Sequence, residues 1–153
     1  MKGMTIIVKT ISSWVKVLIF VFGIYITLFG HLTPGGGFAG GVILACSYVL
    51  LMLAFGREFT EENLSLSLVS KLDCIGAILF IAIALFGLLY GAGSFFYNFI
   101  QQQIFAGEPF DLISAGTIPL SNLAICLKVG ASLFLVFMIL AEFRLDPSSD
   151  KQE

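Results

Sequence analysis

The chain has 153 residues, of which 58% are apolar and only 12% charged, against roughly half apolar and a quarter charged in soluble domains. That composition excludes an ordinary water-soluble enzyme, and a net charge of −2 offers no basic surface for nucleic acid. No Asp, Glu, Lys or Arg occurs between Lys16 and Arg57, or between Asp73 and Glu108, and runs of that length belong in lipid.

A hydrocarbon core of about 30 Å takes about 20 helical residues. Four segments qualify, 11–30, 37–56, 74–93 and 121–142, and they predict an all-α, polytopic protein with one membrane domain spanning residues 1–153. Helices are favoured because the apolar runs are continuous rather than alternating, and because a helix satisfies its own backbone groups in lipid. The first span is too long for the apolar region of a signal peptide, and no small-x-small cleavage pattern follows it, so it reads as a retained anchor.

Between the first two spans lies Gly30-His31-Leu32-Thr33-Pro34-Gly35-Gly36-Gly37-Phe38-Ala39-Gly40-Gly41. Pro34-Gly35 forms turns, and the glycine run admits positive φ. Gly36/Gly40 and Gly37/Gly41 set glycines four apart at a helix start, the spacing that lets another helix approach closely. The run lacks the lysine of a phosphate-binding loop and precedes a lipid-buried helix instead of following a strand, so it predicts a turn and a packing face. His31 has two readings, a proton relay at a pathway mouth or a neutral ring bonded to the adjacent turn. Tyr25, Thr27, Ser47 and Tyr48 offer hydroxyls to a wet path, or bond their own backbone or a neighbouring helix.

Segment 57–73 is expected to be a polar loop, with Glu58, Glu61 and Glu62 beside Arg57 and a polar stretch from Ser65 to Ser70. Segment 94–120 connects the last two spans and is rich in aromatics, Phe95, Phe96, Tyr97, Phe99, Phe105 and Phe110, which suit the membrane interface. Pro109 and Pro119 bracket the approach to the last span, with Ser121 or Asn122 as its cap. Basic residues accumulate in cytoplasmic loops. Lys2, Lys9, Lys16, Arg57, Lys71, Arg144 and Lys151 all fall on one side, so both termini and loop 57–73 are expected to be cytoplasmic, and the His31 turn and segment 94–120 outside. Cys46, Cys74 and Cys126 lie far apart within or beside apolar segments and read as small core residues.

Lys128 is then the one clearly intramembrane charge, with Asp73 and Glu142 at hydrated cytoplasmic helix ends. Counted from Ser121, it lies roughly 10 Å below the outer end of its helix. Ser121, Ala124, Ala131 and Ser132 share its face, which argues for burial against protein and against snorkelling. A buried lysine needs a carboxylate, expected from a neighbouring subunit or, within the chain, from Asp111.

The stretch GHLTPGGGFAGG resembles the B subunit of Mrp/Mnh-type multisubunit sodium/proton antiporters, the MnhB/MrpB family. Looser similarity covers nearly the whole chain, through the helix number and Thr117-Ile118-Pro119-Leu120 before the last span. Related subunits occur in membrane-bound hydrogenases and sulfur reductases. The resemblance implies an accessory subunit, not catalytic by itself and without a cofactor, in the cell membrane of a bacterium or archaeon. Its partners would be other membrane subunits, the lipid bilayer, sodium ions and protons, with His31 and Lys128 as the ion-path or coupling candidates. Pro34, Gly35, Gly36, Gly37, Gly40 and Gly41 carry the packing motif. The alternative function is a small independent homo-oligomeric channel or carrier, in which symmetry supplies further helices.

Overall fold

A computed structural model of the chain describes residues 4–91, 94–101 and 114–143. Five helices follow in order: α1 Ile6–Leu28, α2 Gly37–Phe55, the short α3 Arg57–Asn63, α4 Leu66–Tyr90 and α5 Ile118–Phe143. Four of them are long and apolar enough to cross a membrane: α1, α2, α4, and α5 as far as Glu142.

The helices stand in the lateral order α1, α2, α5, α4, with α2 and α5 in the middle. Glycine decides how closely they approach. A Cβ on Gly40 would collide with Thr27 of α1, and one on Gly41 would fall 2.8 Å from the Cys126 carbonyl and 3.1 Å from the Gly130 amide of α5. Gly37 is seated on the main chain of Asn122. The contacts Gly37 to Asn122, Gly41 to Cys126 and Tyr48 to Phe134 advance together along both helices, so α2 and α5 run parallel. The glycine motif therefore packs α2 against two helices of its own chain.

Gly36 sets up this arrangement with φ 102° and ψ −172°, a region essentially closed to residues with a Cβ. It lets the chain turn from α1 into α2 with the Gly30 and Gly36 backbones in contact. At the other end Gly56, φ 97°, turns α2 into α3. The apolar core of Met52, Val69, Ala131, Phe134 and Met138 lies toward that end, where the start of α4 closes over α2 and α5. Met4 donates its amide to the Ala54 carbonyl (3.1 Å), and Arg57 reaches Glu142 (3.3 Å), so the start of α1, the end of α2 and the end of α5 share one end of the bundle.

Several boundaries differ from the sequence expectation, each for a local reason. Segment 57–73 is not a loop: it holds α3 and the first two turns of α4, which begins at Leu66 because the Ser65 side chain accepts the Leu68 amide (3.3 Å) as an N-cap. α5 starts at Ile118, with Pro119 in the first turn where its missing N–H costs nothing. Ser121 is thus inside the helix, its hydroxyl donating to the Thr117 carbonyl, and neither it nor Asn122 caps the start. α1 starts five residues ahead of position 11 and therefore carries Lys9 within it in addition to Lys16. Cys126 is buried, but Cys46 and Cys74 are exposed on the outer surface of the bundle and are not core residues; all three are free thiols. Phe105, Phe110, Pro109 and Asp111 lie outside the described residues. Within 94–101, Phe96 packs on Phe80 and Phe99 on Tyr90, folding that segment back along α4.

Candidate functional site

Because α4 starts at Leu66, Asp73 lies seven residues inside it, about 10 Å along the axis at 1.5 Å per residue. Lys128 lies ten residues inside α5, about 15 Å from Ile118. The two meet between the helices, with Lys128 Nζ 2.7 Å from Asp73 Oδ1. Ser132, one turn beyond Lys128, donates its hydroxyl to the same carboxylate oxygen. Gly76, one turn beyond Asp73, makes the approach possible: a Cβ there would fall 2.7 Å from the Lys128 amide nitrogen and 3.0 Å from the Ala124 carbonyl.

This geometry corrects three sequence expectations. Asp73 is not a hydrated residue at a helix end, and a carboxylate does fall within a span. The partner of Lys128 is supplied by the chain itself, from α4, with no need of a neighbouring subunit or Asp111. Lys128 is also not alone among in-span charges, since Lys16 lies near the middle of α1, its ammonium 4.8 Å from the centroid of the Tyr48 ring. A span opened only after the last charge starts at Cys74 and leaves Asp73 outside, whereas α4 begins at Leu66. Ser65 as a cap followed by apolar Leu66, Leu68, Val69 and Leu72 was the signal that places the start two turns earlier.

Chemically, the pair brings an acid and a base together within the spans. A proton moving from the Lys128 ammonium to the Asp73 carboxylate converts a charged pair into a neutral one, and Ser132 can hold the carboxylate in place through either state.

His31 stands elsewhere, in the turn beyond α1, where Nε2 shares a 3.3 Å hydrogen bond with Ser114 Oγ in the turn that leads into α5. The structure does not gather it with Lys128 into one site; it ties the two inter-helix turns at the motif end of the bundle. The hydroxyls mostly serve the fold. Thr27 donates to the Gly23 carbonyl (2.8 Å) and touches Cys126 Sγ (3.1 Å), while Ser47 donates to the Leu44 carbonyl (2.7 Å). Tyr25 stacks beside Phe29, and Tyr48 lies edge-on to both Phe20 and Phe134. In the acidic cluster, Arg57 pairs with Glu61 at 2.6 Å and Glu142 at 3.3 Å. The hydrogen bond that Arg57 donates to Glu61, with the charges of both glutamates behind it, holds the guanidinium above its already high ordinary pKa.

An all-helical bundle of four candidate spans, with an ion pair held between two of them, defines a multi-pass membrane protein. Comparison with known proteins gives its kin. Residues 7–135 match the family MnhB, described as a "Domain related to MnhB subunit of Na+/H+ antiporter". The chain belongs to the MnhB family. It is 34% identical over 143 residues to an uncharacterized protein of Methanocaldococcus jannaschii, covering 90% of this chain but only 52% of that one. It is 30% identical over 142 residues to a Staphylococcus haemolyticus protein named "Putative antiporter subunit mnhB2", covering 92% of this chain and 97% of that protein. Among solved structures, a chain of the membrane-bound sulfane sulfur reductase, an archaeal respiratory membrane complex, superposes with a TM-score of 0.72 at 27% identity. That alignment covers 91% of this chain and 61% of the other. The chain thus spans about half of the methanogen relative and under two thirds of the structural neighbour.

Proposed function

We propose that the chain is an accessory integral subunit of a sodium/proton antiporter module in the cell membrane of a bacterium or archaeon. In this role it performs no chemistry of its own and lies beside larger subunits that conduct the ions. The observation that carries this reading is the match along nearly the whole length of the staphylococcal antiporter subunit. The fold supports it physically: α1 and α4, the outer helices, leave large apolar residues such as Val17, Leu18, Ile78 and Leu89 exposed to lipid or to neighbouring subunits.

Within this reading Asp73–Lys128 is the coupling element, a pair whose charge state changes when protons pass nearby, and His31 has a positioning role at the motif end. The likeness to the sulfur reductase chain supports a second setting, the same subunit placed within a redox-driven respiratory complex.

Purification of the tagged chain from native membranes tests both. Larger antiporter-like membrane subunits are expected to co-purify, and an iron–sulfur or nickel protein among them assigns the respiratory setting. A self-sufficient oligomer that exchanges sodium for protons in liposomes overturns the accessory role and establishes an independent carrier.

A further inference from the structure

Where α1 begins and α2 ends, a cavity of about 440 Å³ opens between α1, α2 and α3. Its walls include Ser13 and Lys16 of α1, Tyr48 and Phe55 of α2, and Thr60 and Asn63 of α3. Lys9, Ser13 and Lys16 recur at i, i+4 and i+7, so they form one stripe of α1, and both lysines turn inward over aromatic rings. Lys9 Nζ lies 5.6 Å from the centroid of Phe55, as Lys16 Nζ does at 4.8 Å from Tyr48.

Charge makes this cavity selective. Among the described residues neither ammonium has a carboxylate partner, whereas the neighbouring cation Arg57 is neutralised by Glu61 and Glu142. The helix α3 presents Phe59, Thr60 and Asn63 to the cavity and keeps Glu58, Glu61 and Glu62 off its lining. Lys16 thus lines a space from which acidic side chains are turned away, and the Lys9 ammonium stands beside it over the Phe55 wall.

The geometry points to a binding site for an anionic phospholipid, its phosphate between Lys9 and Lys16. A free phosphate would use only the polar half of the site. Val17 lines the cavity, is 58% exposed, and continues outward through Val21 and Ile24, an apolar strip at i, i+4 and i+7 along which an acyl chain lies. A headgroup site with an apolar exit matches the basic inter-helix pockets that hold acidic lipids. This site is independent of the antiporter assignment and stands if that reading fails.

The test is native mass spectrometry of the purified full chain in mixed micelles holding equal amounts of phosphatidylglycerol and phosphatidylcholine. Wild type is expected to retain phosphatidylglycerol preferentially, and Lys16→Gln to lower that preference about fivefold, the ratio that about 1 kcal/mol per basic residue gives. Lys9→Gln, whose ammonium lies beside the Phe55 wall, reports independently if the Lys16 variant does not accumulate, and Lys16→Arg is expected to keep the preference. Lys71→Gln, exposed on α4, is the control for diffuse charge and is expected to change nothing. Equal retention of the two lipids, an undiminished preference in both glutamine variants, or an equal loss in Lys71→Gln overturns the proposal. Displacement of the lipid by millimolar inorganic phosphate overturns it in favour of a free anion.

Discussion

Asp73 and Lys128 stand 55 positions apart in sequence and 2.7 Å apart in space, so the ion pair staples α4 to α5 within the spans. Asp73→Asn leaves the ammonium without its counter-charge, and an unpaired lysine near the centre of a span costs about 2.5–3.5 kcal/mol on insertion scales. Asp73→Asn and Lys128→Met are each expected to lower the yield of folded chain, whereas the double variant, which removes both charges, is expected to recover most of it. If the pair is also the coupling element, sodium/proton exchange in vesicles stays lost in the double variant although the protein accumulates. Additive losses of yield would show that the two side chains do not support each other.

Gly40→Leu is expected to fail in the isolated chain, before any partner is involved, because the space its side chain needs is occupied by Thr27. Overpacking of this kind costs about 1–3 kcal/mol where neighbours give way, and a Thr27 hydroxyl bonded to Gly23 within its own helix gives way poorly. Gly35→Ala is the contrast: its Cβ meets only the Ile26 side chain, at 2.8 Å from Cγ2, which can rotate away. Thermal unfolding of the detergent-solubilised chain distinguishes the two, and a Gly40→Leu protein as stable as wild type would place the motif's role outside this bundle.

The spans were legible in the sequence because lipid imposes a length and a continuity that no other environment demands, and the Pro34–Gly41 run announced its own turn and its close helix approach. What hid was the polar interior. Asp73 resembles the edge of a span because a charge in sequence reads as a boundary, yet a carboxylate can enter a helix when a lysine on an antiparallel neighbour meets it, and no single segment reveals that pairing. Lys16 falls within the 11–30 span yet counts with the cytoplasmic residues by charge alone, although Tyr48 on the next helix shelters its ammonium. The depth of a charge depends on its partner, and the partner lies in another helix. Glycine showed that a close neighbour exists but not which one; α1 and α5 of the same chain turned out to fill that place.

Arg57 joins α3 to the end of α5 through Glu142 while bonding Glu61 within its own helix. These side chains are partly exposed, Glu142 at 60%, so screening keeps the contribution small. Arg57→Gln is expected to lower stability by about 0.2–1 kcal/mol, with the difference shrinking as salt rises toward about 1 M, where the Debye length falls to about 3 Å. A larger, salt-insensitive loss would mean that Arg57 packs rather than pairs.

The distribution of basic residues predicts that both termini face the cytoplasm. Lys9 and Arg57 sit at the end where α1 starts and α2 ends, with Lys2, Arg144 and Lys151 adjoining it in sequence, while neither the His31 turn nor residues 94–117 carry a lysine or arginine. Lys16 and Lys128 drop out of the count because they lie inside spans, yet the bias survives without them, and basic loops stay on the cytoplasmic side. Single cysteines are therefore introduced at Thr33, in the motif turn, and at Glu62, exposed on α3, in a background whose own Cys46, Cys74 and Cys126 are replaced by alanine. A membrane-impermeant maleimide is expected to label Thr33→Cys in intact cells, and Glu62→Cys only after permeabilisation. The reverse pattern would invert the bundle and put the start of α1 outside.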